Sequence, residues 1–278
     1  MTCHPSEIRT AQLHQYLLGA IAPRPICFAS TLDADGHPNL SPFSFFNVFG
    51  SKPPIMVFSP ARRVRDNTIK HTLENVMATG EVVINTVNYA MVQQMSLSSC
   101  EYPREISEFE KAGFTPLPSQ LVKPFRVKES PAQFECRVLD VKATGEEGGA
   151  GNLVICEVVL LHLQDEILNE HGQIDPHKID LVARMGGDYY CRASGAAVFE
   201  VPKPNLQLGI GIDALPEKIK HSKRLTGNHL GQLGNSTVIP ELDPAFDEFN
   251  ASDPETQAMQ LLDQHRLHDA WQVLLRMP

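Results

Sequence analysis

The pattern of apolar positions predicts one well-defined helix in the first third of the chain. Its apolar residues recur at spacings i, i+4, i+7 and i+8, which place them on one helical face. They are Ile69, Leu73, Val76 and Met77. Gly80 follows as a C-terminal stop signal, and Asp66 or Asn67 is the predicted N-cap. A weaker helical pattern occupies 6–19.

Strand-like runs dominate the first 200 residues. Two of them flank the Asp35-Gly36 pair, a strong hairpin signal because glycine tolerates the positive φ of such turns. Pro38 and Pro42 interrupt the second run, so this strand is irregular or lies at a sheet edge. Other runs cover 55–59, 81–88, 133–142 and 152–163. Strands and helices do not alternate strictly, so an antiparallel barrel is predicted rather than a parallel sheet.

The chain changes character beyond Pro202. An amphipathic pattern over 254–277 predicts a terminal helix that packs on the body of the protein or on a partner. Eight acidic and two basic residues give 241–278 a net charge of −6, whereas the whole chain carries −9. We expect this acidic surface to be solvated. The mildly acidic remainder gives no support to nucleic-acid binding.

Composition narrows the class of protein further. With 278 residues, 42% hydrophobic and 21% charged, the chain is typical of a globular protein with a full core. It has no apolar run of eighteen residues that could span a membrane, and its N-terminus lacks the pattern of a secretory signal. Six widely spaced cysteines form no CxxC pair, which indicates reduced thiols and a cytoplasmic location rather than a zinc or disulfide framework.

Two polar segments are candidate ligand sites. Residues 30–47 place hydroxyl, amide and aromatic groups on a hairpin whose prolines leave backbone groups free for a planar ligand; the alternative is an ordinary polar hairpin. Residues 62–72 place four basic side chains and two threonines where the best helix begins, which is typical of a phosphate site. The alternative there is a solvated basic turn. Together, a ring site and a phosphate site fit the two ends of FMN.

Patterns for catalysis by protein side chains are absent. The chain has no GxSxG and no HExxH, and Gly209 and Gly211 lack the strand and helix of a dinucleotide fingerprint. His265 and His268 are without a third metal ligand. We therefore predict no catalytic side chain and no metal, and expect any chemistry to come from a cofactor.

The chain resembles the flavin reductase-like family of FMN-binding split-barrel proteins, whose members include flavoredoxin and the reductase component of nitrilotriacetate monooxygenase. The resemblance covers about 20–202 in the family's order. Its motifs are Pro23-Arg24-Pro25, Ser30-Thr31, Asp35-Gly36, 39–47, Pro53-Pro54, Arg65-Asp66-Asn67-Thr68, Thr79-Gly80-Glu81 with Val83 and Asn85, Phe109, Ala112-Gly113, Glu129-Ser130-Pro131, Glu135-Cys136, 154–158, Arg184-Met185-Gly186-Gly187 and Tyr189-Tyr190.

The resemblance implies a mainly β fold with added helices, a six-stranded antiparallel Greek-key split barrel that works as a homodimer with FMN near the subunit interface. The barrel domain would occupy 23–202. It would follow a helical lead-in of 1–22 and precede a C-terminal extension of 203–278.

The resemblance also implies three groups of cofactor-binding residues. The ring would be lined, largely through backbone groups, by Ser41, Pro42, Phe43, Ser44, Phe45, Phe46 and Asn47, with Ser30 and Thr31 close by. The phosphate would be held by Arg65, Asn67, Thr68 and Lys70. A flavin across the dimer would be reached by Arg184, Tyr189 and Tyr190. One departure is Asn152, which stands where relatives often have a histidine, so that histidine's role is in doubt here.

The leading functional expectation is an NAD(P)H-dependent FMN reductase in which nicotinamide passes hydride to flavin N5. The alternatives are a flavoredoxin-like electron carrier with tightly bound FMN, a non-catalytic FMN-binding module and a ligand-free structural domain. A partner oxygenase or another electron acceptor is expected, and neither a nucleic acid nor a membrane. The sequence carries no readable determinant for NADH against NADPH.

Overall fold

The computed structural model describes residues 2–204, 207–250 and 252–277. The chain divides into two compact units, the first ending at Phe199 and the second beginning at Glu200. Each unit has its own hydrophobic core.

The first unit is built on one antiparallel sheet of seven strands. These are β1 (Cys27–Leu32), β2 (Pro38–Phe43), β3 (Phe46–Ser51), β4 (Pro54–Phe58), β5 (Glu81–Asn85), β8 (Ala132–Ala143) and β9 (Asn152–Leu163). Their order is β2-β1-β5-β8-β9-β4-β3. Two small sheets pair β6 (Pro116–Leu117) with β7 (Arg126–Val127), and β10 (Val182–Arg184) with β11 (Tyr190–Arg192). The mainly β antiparallel prediction is confirmed, with seven strands in the main sheet instead of six.

The hairpin predicted at Asp35-Gly36 joins β1 to β2, and Gly36 has a φ of 91° there. The β2 strand lies at the end of the strand order and pairs with β1 alone. An edge position tolerates Pro38 and Pro42, because a residue without an N–H loses nothing on the unpaired side. The predicted edge strand is therefore confirmed.

Four helices accompany this sheet: α1 (Thr10–Ala20), α2 (His71–Thr79), α3 (Val92–Leu97) and α4 (Glu108–Ala112). The predicted stop of α2 at Gly80 is confirmed, since Gly80 adopts a left-handed φ of 69°. The predicted N-cap is wrong: α2 begins after Lys70, and no side chain caps it. Asn67 has a φ of 58°, so the chain turns back at this residue and enters the helix four residues later, at His71.

One of the two core clusters of the first unit lies between the sheet and α2. Its members include Phe43, Phe58, Leu73, Val76 and Ile84. Three cysteine thiols, of Cys27, Cys136 and Cys156, are also buried in it. Burial raises the pKa of the Cys156 thiol to about 12, so it stays protonated and packs as a small apolar group.

The second unit is helical and contains α5 (Glu217–Lys220), α6 (Gly227–Gly234), α7 (Pro254–Asp263) and α8 (Leu267–Leu275). Trp271, Leu262, Leu233 and Ile219 are fully buried in its core. The single helix predicted over 254–277 is wrong, because the chain breaks at His265, whose φ is 59°. Among the described residues, no helix combines the length and apolar character needed to cross a membrane.

Candidate functional site

Two neighbouring cavities open beside the end of β2. The first, about 220 Å³, is lined by Ile26, Pro42, Phe43, Ser44, Met95, Ser96, Ser99, Arg184 and Tyr190. The second, about 370 Å³, is lined by Tyr89, Val92, Gln93, Ser96, Val182, Arg184, Asp188, Tyr190, Cys191 and Arg192. They share Ser96, Arg184 and Tyr190, so they adjoin along one wall. The second cavity alone has the size of an ordinary small-molecule site.

The wall formed by β2 offers backbone groups to a ligand. Because β2 is an edge strand, one row of its N–H and C=O groups has no strand partner. One of these groups is occupied, since Leu40 N donates to the buried Glu108 carboxylate at 3.0 Å. Burial raises the pKa of Glu108, and the hydrogen bonds from Leu40 N and the Asn39 side chain oppose that shift. The strand is thus anchored at its middle, and its end at Pro42 and Phe43 faces the first cavity.

The opposite wall is the β10–β11 hairpin. Arg184 Nη1 donates to the Tyr190 hydroxyl at 2.9 Å, and Nη2 donates to Gly187 O at 2.8 Å. The guanidinium also lies 4.7 Å from the centroid of the Tyr190 ring. The structure therefore brings Arg184 and Tyr190 together with Pro42, Phe43 and Ser44 within one chain. Tyr189 lines neither cavity and is 78% exposed.

Arg24 joins these two walls. Its backbone pairs with Arg184, its Nη2 donates to Met185 O at 2.6 Å and its Nε donates to Ser44 Oγ at 3.4 Å. Burial, and then the charge of Arg184, lower the pKa of Arg24. From the sequence, Arg24 is identified only within the motif Pro23-Arg24-Pro25. The position of an arginine between two prolines is the sequence signal that could have indicated this anchoring role.

The predicted phosphate segment forms a cationic turn (residues 62–70). Asn67 Oδ1 accepts from Arg62 Nε at 2.6 Å, and Asn67 Nδ2 donates to Glu146 O at 3.0 Å. Thr68 Oγ1 donates to Asp66 Oδ1 at 2.6 Å. Asn67 and Thr68 therefore hold the turn together with their side chains.

Glu101 neutralises part of this cationic turn. Its two carboxylate oxygens accept from Arg63 Nε at 2.8 Å and from Arg65 Nη2 at 3.0 Å. The hydrogen bonds from Arg63 and then Arg65 lower the pKa of Glu101. One carboxylate thus bridges two guanidinium groups, in the way that a bound phosphate could.

Lys70 is the cation of this turn that lies over a ring of a cavity-lining residue. Its Nζ lies 5.6 Å from the centroid of the Phe43 ring, which lines the first cavity. Burial, and then the charge of Arg63, lower the pKa of Lys70, and Glu101 opposes them. No hydrogen bond or ion pair joins its ammonium to another side chain or carbonyl in the described part of the chain. A half-buried cation without a hydrogen bond or ion pair, at the uncapped start of α2, favours an anionic ligand.

Other predicted ring contacts lie away from the cavities. Ser30 and Thr31 are fully buried, and Thr31 Oγ1 accepts from Asn75 Nδ2 at 3.0 Å. Ser30 Oγ is buried without a partner among the residues that the structure describes. Ser41, Phe45, Phe46 and Asn47 line neither cavity. The Phe45 ring packs edge-on against His14, and Asn47 Oδ1 accepts from Val48 N at 2.8 Å.

Asn152 has a structural role in this chain. It is buried, its Nδ2 donates to Pro60 O at 2.9 Å and its backbone N–H donates to Ser59 Oγ at 3.1 Å. These bonds fix the segment that leads into the cationic turn. Asn152 therefore positions the turn and lines neither cavity.

The β1–β2 turn brings three potential metal-ligand atoms, from Asp33, Asp35 and His37, within 4.8 Å of one another. One Asp33 oxygen already accepts from the backbone N–H groups of Asp35 and His37, at 3.0 and 2.9 Å. The other Asp33 oxygen lies 3.0 Å from His37 Nδ1. These contacts account for the cluster as the stabilising core of a hairpin turn, and we assign no metal to it.

The chain is similar in sequence to known proteins. Residues 19–178 match the family model described as the flavin reductase like domain. An uncharacterized protein of Aquifex aeolicus is 38% identical over 189 residues, which cover 68% of this chain and 94% of that protein.

Two solved structures are also similar. Nitrilotriacetate monooxygenase component B from Bacillus cereus has a TM-score of 0.67 and 27% identity, over 72% of this chain and 98% of that one. A putative flavin reductase with a split barrel domain from Shewanella frigidimarina has a TM-score of 0.62 and 28% identity, over 73% and 99%. The split-barrel fold implied by the resemblance is thereby confirmed.

Proposed function

The chain belongs to the flavin reductase-like family, and from this premise we propose that it binds FMN and acts as an NAD(P)H-dependent flavin reductase. The observation that carries the proposal is Lys70. Its ammonium makes no hydrogen bond or ion pair in the described chain and lies 5.6 Å from the ring of Phe43, a residue that lines the first cavity. A ring-sized cavity close to a cation that is paired with no carboxylate fits the two ends of FMN.

The two cavity walls would hold the ring between them. Backbone groups of Pro42 to Ser44 would contact it from the β2 side, and Tyr190 from the β10–β11 side. The phosphate would lie at the start of α2, where Lys70 and unpaired helical N–H groups supply charge and donors. When bound, FMN would accept hydride from reduced nicotinamide and pass the electrons to an acceptor.

Arg184 would provide electrostatic stabilisation beside the ring. Its guanidinium is fixed by the Tyr190 hydroxyl and Gly187 O, so its charge needs no rearrangement when negative charge develops nearby. Hydride transfer requires no protein acid or base, which agrees with the absence of a catalytic set in the sequence. The contribution of the chain is placement and charge.

We also propose a homodimer and an electron-accepting partner such as an oxygenase. The exposed side chains of Val48 and Phe49 on β3, at 57% and 68%, form an apolar surface that favours association. The likeness to a component of nitrilotriacetate monooxygenase supports an oxygenase as the acceptor. Unpaired cysteines throughout the described chain suit the reducing cytoplasm.

The proposal is tested by anaerobic stopped-flow absorbance of the FMN-loaded protein. Mixing with NADH or NADPH should bleach the flavin band in a single turnover. Repeated turnover of added free FMN separates a reductase from a carrier, because a carrier retains its own flavin and reduces no excess. Loaded protein that neither donor bleaches would contradict the proposal.

A further inference from the structure

The second cavity contains a cation that the proposed flavin site does not use. Arg192 lines it together with Arg184, while Asp188 is the only acidic residue in its lining. The lining therefore holds two guanidinium groups and one carboxylate, while Asp180, which pairs with Arg192, lies outside it. Because the two cavities share a wall, a molecule in the second one can reach a ring bound in the first.

Arg192 is held in a fixed position. Its Nε and Nη2 donate to the two carboxylate oxygens of Asp180, at 2.7 and 2.8 Å. Its guanidinium lies 4.0 Å from the centroid of the Tyr89 ring. Asp180 adopts a left-handed φ of 51°, and its carbonyl accepts from Tyr89 N at 3.0 Å. The carboxylate, ring and guanidinium thus form one preorganised unit, and Nη1 keeps its donors without an acceptor in the described residues.

Arg184 is arranged in the same way on the shared wall. Its Nη1 and Nη2 are occupied by the Tyr190 hydroxyl and Gly187 O, and Nε has no acceptor among the residues described. Each guanidinium is therefore backed by an aromatic ring and keeps N–H donors available. Arginines fixed in this manner are well suited to phosphate groups, because little side-chain freedom is lost on binding.

We infer that the second cavity binds the phosphate groups of the electron donor, a nucleotide whose reactive ring meets the flavin ring at the shared wall of the two cavities. This inference rests on the proposed function, since it assigns a site to the donor of that reaction. Nicotinamide dinucleotides have the required form: a planar reactive ring is joined to a pyrophosphate. Arg184 lies between the two parts, and Arg192 lies with the anionic part.

The inference is tested by calorimetric titration of FMN-loaded protein with NAD+ and NADP+, which bind without reacting. Arg192→Gln should weaken nucleotide binding about tenfold, as expected for loss of a charge-assisted contact. Arg137→Gln removes the same charge from an exposed position on β8 outside both cavities, and it should leave the affinity unchanged. The melting temperature of each variant checks its folding.

A second pair of variants changes the charge of the cavity without removing a hydrogen bond or an ion pair. Gln93 lines the second cavity, is exposed on α3 and makes no hydrogen bond in the described chain. Gln93→Lys should tighten nucleotide binding about threefold, and Gln93→Glu should weaken it by a similar factor. Opposite shifts from one position identify an electrostatic effect, which a packing defect would not produce.

Kinetics with a phosphate-free donor provide the final arm. Arg192→Gln should raise KM for NADH and NADPH and leave the FMN dissociation constant unchanged, while KM for N-benzyl-1,4-dihydronicotinamide stays the same. Unchanged nucleotide affinity in the Arg192 and Gln93 variants would overturn the inference, and normal flavin bleaching would then leave the proposed function intact. If FMN fails to bind or bleach, the proposed function is refuted. The same NAD+ and NADP+ titrations on flavin-free protein then still test whether the second cavity binds the nucleotide.

Discussion

Lys70→Met is the most direct perturbation of the proposed phosphate site. Methionine keeps the length and apolar stem of the side chain and removes only its charge. A hydrogen bond to a charged group contributes about 2 kcal/mol, so the FMN dissociation constant should rise about thirtyfold. The ammonium of Lys70 makes no hydrogen bond or ion pair in the described chain, so this loss should appear only when the ligand is present.

The flavin-free protein should respond in the opposite direction. Burial lowers the pKa of Lys70, so at neutral pH its charge is less favourable in the folded protein than in the solvated unfolded chain. Below both pKa values that penalty is fully present, and it is relieved only as the pH rises through the folded pKa. Removing the charge should therefore leave the stability of flavin-free Lys70→Met unchanged or increase it.

Thermal denaturation with and without FMN measures both effects together. At FMN equal to 100 times the original dissociation constant, ligand stabilisation is about 2.7 kcal/mol. A thirtyfold weaker constant reduces it to about 0.9 kcal/mol. Fluorescence quenching of FMN on binding gives the dissociation constant independently.

Lys142→Met is the matched control, because Lys142 is exposed on β8 and lines neither cavity. Lys70→Arg keeps a charge at the site and should recover part of the affinity. Lys70→Met that binds FMN as tightly as the original chain would refute the assignment of the phosphate to this position.

Three further variants test other parts of the structure. Glu101→Gln should tighten FMN binding a few-fold in fluorescence titrations, because it releases Arg63 and Arg65 for the phosphate. The pKa of Glu101 is lowered in the folded protein, so its bridge to Arg63 and Arg65 stabilises the fold fully above the ordinary carboxyl pKa. This stabilisation is lost as the pH falls through the folded pKa, and the corresponding part of the pH dependence of urea unfolding should vanish in the variant. Asn152→Ala should cost about 1–3 kcal/mol in urea unfolding, since Pro60 O is left without its donor; an unchanged midpoint would contradict its structural role. His265→Gly should stabilise the second unit by roughly 1 kcal/mol by relieving a left-handed φ, and a lower transition midpoint would count against that reason.

Local signals in the sequence predicted most of the strands and helices of the first unit. The Asp35-Gly36 turn, the glycine stop of α2 and the strand Asn152–Leu163 are set by turn chemistry and residue spacing over a few positions. The break at His265 lacked such a signal, because neither glycine nor proline stands there and the apolar spacing continues across it. His265 stands between α7 and α8, whose side chains pack in one core with Trp271.

The set of residues that line the two cavities could not be predicted from local sequence signals. Arg184 and Ser44 are 140 positions apart in the sequence, and they meet because the backbone of Arg24 pairs with that of Arg184 while its side chain reaches Ser44. The burial of Ser30 and Thr31 has a related cause. Both faces of β1 are covered, since Cys27 and Ala29 belong to one core cluster and Phe28 to another, so the polar residues of this strand are buried with the apolar ones.

The three polar residues Asn67, Thr68 and Lys70 differ in what their side chains already contact. Asn67 and Thr68 carry the right groups for a phosphate, and their hydrogen bonds to Arg62, Glu146 and Asp66 also form the cationic turn. The ammonium of Lys70 makes no such bond in the described chain. Binding a phosphate through Asn67 or Thr68 would require breaking existing bonds, whereas binding through Lys70 would break none. We therefore expect Lys70 to contribute more to the FMN affinity than Asn67 or Thr68.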